Sequence, residues 1–259
     1  MIGLLYFTVI ILANSVGAVS GMGGGVIIKP VFDFIGAHDV ASISFYSSVA
    51  VFTMSLVSTY RQLKNGIKIN WKNIVWLAMG SIIGGYLGNY LFELIQSLFQ
   101  SEAVTQGTQI GLTCITLLFA FLYSRNNFVA FQLRSVLNYA GCGLILGTLA
   151  SLLGIGGGPI NVSLLMLMFS MPIKDATVYS ICTIFFSQLS KIVTIGITTG
   201  FGRFDLSMLL FIIPAAMLGG LIGARLSKVL SSDKVALVFQ IVILLVLAIN
   251  IYNGIQLLT

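Results

Sequence analysis

Two glycine clusters are the residues of this chain best placed to do chemistry. Gly21-Met22-Gly23-Gly24-Gly25 lies near the start and Gly154-Ile155-Gly156-Gly157-Gly158 near the middle, 133 residues apart in a chain of 259. Glycine lacks a Cβ, so its backbone takes up φ > 0 and lets a ligand come close. A helix that begins at such a break presents free N–H groups and a partial positive charge. That combination binds anions without any charged side chain. The amides of Gly23, Gly24, Gly25, Gly156, Gly157 and Gly158 are therefore candidate anion contacts. Pro159 suits the first turn of the second such helix, where its missing N–H costs nothing.

The segments after the breaks carry polar side chains on apolar backgrounds. Ser44, Ser48, Ser55 and Ser58 share one helical face, and so do Ser180, Thr183, Ser187 and Lys191, flanked by Gln188 and Ser190. An offset of 135 residues aligns Ala41-Ser42 with Ala176-Thr177, Ser48 with Thr183, Ser55 with Ser190 and Leu56 with Lys191. Hydroxyls in lipid commonly bond to their own helix or to a neighbour; matched positions in two halves favour a shared cavity. Ser48, Ser55, Thr183, Ser187 and Gln188 are the candidate lining. Lys191 is the sharpest single residue, because a charge near a bilayer centre costs about 2.5–3.5 kcal/mol on insertion scales and faces a cavity or a partner. Lys29 and Asp33 follow the first break, either in that cavity or at a wet end, and Asp39 and Asp175 read as helix N-caps. His38 reads as a solvated loop residue. No phosphate loop, metal cluster or nucleophile elbow occurs, and no cofactor is implied.

The elements that hold these residues must be membrane helices. The chain is 58 % hydrophobic and 8 % charged, against about 25 % charged in globular proteins. Apolar runs read as spans at 2–20, 40–60, 71–97, 104–123, 136–153, 176–199, 206–230 and 235–257, with short runs at 26–36 and 159–171 after the breaks. Met1 to Ser20 reads as the first span, not a cleaved leader, because it lacks a basic n-region. The three cysteines lie in apolar segments and suit neither metal nor disulfide.

Three glycines at membrane depth need protein or water around them, and broken segments in corresponding places of two halves point to a transporter's binding site. The fold class is thus all-α integral membrane, with two inverted repeats at 1–124 and 125–259. Each has four long helices and one short half-helix after its break. Gly84-Gly85-x-x-Gly88 and Gly219-Gly220-x-x-Gly223 read as close helix contacts. The net charge of +6 marks no nucleic-acid partner. Arg61, Lys64, Lys68, Lys72, Arg125, Arg134, Arg225, Lys228 and Lys234 fall on one side only if each half crosses an odd number of times. The positive-inside rule then puts both termini outside a cell membrane.

These residues bring the chain into a family. With Gly-x-Gly-Gly-Gly in each half, Pro30 five residues after Gly25, and Gly158-Pro159 followed by Asn161, it resembles the TauE/SafE sulfite-exporter-like family, also called the 4-toluene sulfonate uptake permeases. Ser163 departs from that pattern, standing where the first half has Pro30. The resemblance covers essentially the whole chain and adds Asn161 to the candidate site. It implies sulfur-containing or organic anions as substrates, such as sulfite, thiosulfate and sulfonates. The expectation is a secondary transporter, not an enzyme, that moves a small anion by rocking one repeat against the other. A proton or sodium ion is compatible as coupling ion. An anion channel of the same architecture and an integral-membrane lipid phosphatase are the alternatives; the spans hold almost no acid for the latter.

Overall fold

A computed structural model describes residues 2–64, 70–125 and 130–258. The described residues form ten α-helices: α1 (Ile2–Ser20), α2 (Gly25–Ile35), α3 (Val40–Lys64), α4 (Trp71–Phe99), α5 (Glu102–Arg125), α6 (Val136–Leu153), α7 (Gly158–Phe169), α8 (Ile173–Thr198), α9 (Leu209–Val229) and α10 (Ser232–Leu258). A single 3₁₀ turn, Leu206–Met208, leads into α9. Eight of these elements are long and apolar enough to cross a membrane, and α2 and α7, of 11 and 12 residues, are not. Lys68, one of the basic loop residues, lies outside the described residues.

Sequence chemistry explains most of the ends. Asn70 and Ser135 accept from backbone amides at the starts of α4 and α6. Asp39 accepts from the Ser42 amide at 2.6 Å and caps α3 as expected. Asp175 is not a cap: α8 starts three residues earlier than its apolar run, behind Pro172, and Asp175 sits in its first turn. The carboxylate still favours that helix end through the dipole. Gly36 and Gly154 close α2 and α6 in the left-handed conformation.

The Gly-Gly-x-x-Gly segments weld helices together. A Cβ on Gly84 or Gly88 would strike the carbonyls of Leu144 and Thr148 in α6. A Cβ on Gly219 or Gly223 would meet the backbone of Ile11 and Ser15 in α1. Small residues thus let α4 meet α6, and α9 meet α1, backbone to backbone. The remaining contacts come in matching sets. Helix α4 also packs on α8 and α9 on α3; α5 packs on α7 and α10 on α2; α3 meets α8 and α5 meets α10.

Each break folds its segment back. Tyr6 near the start of α1 stacks on Phe32 near the end of α2, and its hydroxyl bonds to His38 at 3.0 Å. His38, expected to be solvated, is half-buried in this contact and against the Tyr46 ring. In the second half, the amides of Phe131 and Leu133, before α6, donate to Leu167 and Met168 at the end of α7. Tyr46 reaches the Asp205 carbonyl, Asn253 the Pro30 carbonyl, and Arg203 the Glu93 carboxylate. Asp205 is held below the usual carboxylate range by the Ser207 hydroxyl and amide. At the opposite end Asn70 meets Tyr179 and Gln240 meets Ser124. Arg61, Lys64, Lys72, Arg125, Arg134, Lys174, Arg225, Lys228 and Lys234 cluster at that second end, called the basic end below.

Candidate functional site

The two breaks meet. The Gly158 amide donates to the Met22 carbonyl at 3.0 Å, and a Cβ on Gly25 would strike the Ile155 carbonyl. Gly23 donates to Gly17, and Gly156 donates to Ala150, both at 3.3 Å, so both breaks bend in the same way. Gly21, Gly23, Gly154, Gly156, Gly157 and Gly158 all have φ between 62° and 119°. Side chains strongly disfavour that region, which is why glycine occupies it. Every residue from Gly21 to Gly25 and from Gly154 to Gly158 is buried. The breaks thus lie inside protein, as irregular backbone at membrane depth must.

The helices α3 and α8 flank this junction. Gly21 packs on Thr177, and Gly154 packs on Ser44. Val51 and Ile184 both border Gly23, and Phe52 stacks on Phe185 with ring centroids 5.3 Å apart. Each of these pairs is spaced by 133 residues, not 135. The helices α3 and α8 therefore keep the register of the glycine clusters, and the two extra residues enter after α8. The pairings of Ser48 with Thr183 and Lys191 with Leu56 are corrected accordingly. The residue that matches Lys191 is Ser58, whose hydroxyl bonds to Gly220 in α9.

Lys191 is 1 % exposed. Its Nζ donates to the Ser44 hydroxyl at 2.8 Å and to the Ser151 carbonyl at 3.0 Å, and it lies over the Phe92 ring. No carboxylate is among these partners, and the amine is held by a hydroxyl and a carbonyl alone. Lys29 differs: it forms a 2.7 Å ion pair with Asp33, with both side chains 3 % exposed. Both therefore lie inside the protein, and the Lys29 stem runs beside Gly154.

Other candidate residues divide into two groups. Ser48, Ser55, Thr183 and Ser187 donate to the carbonyls of Ser44, Phe52, Tyr179 and Ile184 in their own helices. Their hydroxyl protons are thereby engaged, and an anion needs donors. Asn161 and Gln188 are fully buried, and neither amide nitrogen nor amide oxygen has a hydrogen-bond partner. Asn161 reaches the space beside Gly157, where Ile184, one turn before Gln188 on α8, also packs. An unpartnered buried polar group costs about 1–3 kcal/mol, so Asn161 beside the second break and Gln188 one turn along α8 from Ile184 are open donor and acceptor sets.

Three further residues belong here. Asn14 in α1 donates to Ala50 in α3, and its Oδ1 crowds Gly24. The Ser151 carbonyl accepts from Lys191. Ser180 donates to the Gly21 carbonyl at 2.6 Å, tying α8 to the first break. An asparagine deep in a mostly apolar α1 was the available signal for Asn14; Ser151 gave none. Ser180→Ala leaves that buried carbonyl without its donor. The expected loss is about 1–3 kcal/mol of stability, read as a lower melting temperature in detergent.

A bundle of eight membrane-length apolar helices around paired, buried backbone breaks defines a multi-pass membrane protein. The sulfite exporter TauE/SafE family model matches residues 6–251, and the chain belongs to that family. It is 26 % identical to the probable membrane transporter protein YunE of Bacillus subtilis, over 95 % of this chain and 96 % of that one. A probable membrane transporter protein of Methanocaldococcus jannaschii is 26 % identical over 69 % of this chain and 66 % of its own. Another, from Haemophilus influenzae, is 25 % identical over 66 % and 63 %. No solved structure matches.

Proposed function

We propose that the protein is a secondary transporter that moves small sulfur-containing or organic anions by alternating access. The observation that carries this is the junction of the two breaks, with Lys191 lacking a carboxylate partner and Asn161 and Gln188 unpartnered close by. Lys191 supplies attraction, the two side-chain amides supply donors, and backbone N–H groups at Gly23–Gly25 and Gly156–Gly158 bind oxygens once the junction opens. The breaks are buried from both ends, so anion entry requires helix movement along the α3–α8 contact. The repeats, 1–124 and 125–259, are inverted in this reading. Support comes from the folding-back of α1–α2 and α6–α7, which leaves three crossings per half, and from the gathering of basic residues at one end. By the positive-inside rule that end is cytoplasmic and both termini are outside.

Proteoliposomes test the proposal. Radiolabelled sulfite, thiosulfate and a short sulfonate are offered outside, with and without unlabelled anion inside. The expected result is saturable uptake of at least one anion, accelerated by internal substrate. Unsaturable flux that carries a current proportional to the gradient would make the protein a channel. Phosphate release from lipid would make it a phosphatase.

A further inference from the structure

We propose that a cavity at the basic end, separate from the glycine junction, binds a small oxyanion. The cavity lies between the last turns of α3 and α9 and the first turn of α8 and measures about 230 Å³. That is well over ten times the ~10–15 Å³ that one water requires. Gln62 of α3, Lys174 and Asp175 of α8, and Ser227 and Lys228 of α9 line it.

Gln62 makes this more than a basic patch. It is 3 % exposed, and neither its Nε2 nor its Oε1 has a hydrogen-bond partner. Burial without a partner is costly, and the cavity is the space into which a partner can enter. Around it stand two ammonium groups and a serine hydroxyl against one carboxylate, at the N-terminus of a 26-residue helix. Two cationic side chains, the helix N-terminus and the open Gln62 amide outweigh the one lining carboxylate, Asp175, so the chemistry fits an anion that accepts several hydrogen bonds. Phosphate-like headgroups and free tetrahedral oxyanions share that chemistry.

The site has no counterpart at the other end. The residue matching Gln62 is Ile195, which is buried and apolar. The residue matching Lys228 is Glu93, engaged by Arg203 at 2.7 Å. The cavity is therefore not a by-product of duplication. Its wall residue Val178 adjoins Thr177 on α8, the residue against which Gly21 packs.

The test is calorimetric titration of the purified protein in neutral detergent with sodium sulfate at constant ionic strength. Wild type and Lys191→Met are expected to bind sulfate saturably, because this cavity is independent of the central lysine. The K174Q/K228Q double variant and Gln62→Leu are each expected to weaken binding at least tenfold, and K174R/K228R to restore it. Equal affinity in K174Q/K228Q and wild type, or loss of all binding in Lys191→Met, would overturn the proposal. Nanodiscs then identify the source of the anion. Weaker sulfate binding in phosphatidylglycerol than in phosphatidylcholine points to a lipid headgroup, and equal binding points to a free oxyanion.

Discussion

Gly157→Leu abolishes anion uptake by the reconstituted protein while expression and monodispersity persist. Gly157 has φ of 119°, outside the range that side chains accept. A residue forced there costs about 1–3 kcal/mol. The added Cβ would also collide with the Asn161 amide and press on Ile184. Both effects fall on the junction and on little else. Gly107→Leu is the control: nothing lies within 4 Å of a Cβ there, on the exposed side of α5. Its uptake is expected to match wild type. Unchanged flux in Gly157→Leu would remove the anion site from the junction.

Lys191→Met raises the half-saturation concentration about 10- to 100-fold. A hydrogen bond to a charged group is worth about 1.5–3 kcal/mol, and each 1.4 kcal/mol is tenfold in affinity. Stability moves the other way or not at all. Methionine fills similar space without a buried charge, and replacing buried ions by apolar residues is often neutral or stabilising. A melting temperature at or above wild type, with a raised half-saturation, is therefore the expected pair. An unchanged half-saturation would make Lys191 a structural strut between Ser44 and Ser151.

Much of the architecture was legible in the sequence, for physical reasons. Hydropathy and length located the eight long helices, because a span needs a continuous apolar run. The glycine clusters announced the breaks, because glycine accepts without strain the positive φ that Gly156 and Gly157 adopt. The short runs after them were read as half-helices, and contacts such as Tyr6 with Phe32 show how they turn back. The register of α3 against α8 was misread. Ala41-Ser42 and Ala176-Thr177 resemble each other at the wrong spacing. Only the stacking of Phe52 on Phe185 and the packing of Thr177 and Ser44 against the breaks reveal the right one. Side-chain partners were least legible. Whether a hydroxyl such as Ser187 serves its own helix or a cavity depends on neighbours supplied by distant segments, and so does the isolation of Asn161 and Gln188.

The glycine seams carry a last consequence for mechanics. Each seam stitches a helix from the first half of the chain to a helix from the second: α1 to α9, and α4 to α6. A cut at residue 124 would tear both. Two interleaved triplets of contacting helices result, α1 with α3 and α9, and α4 with α6 and α8. They touch where α3 faces α8. On the proposed alternating-access reading, the hinge falls between bodies that each draw on both halves of the chain, so the moving units are not the two halves themselves.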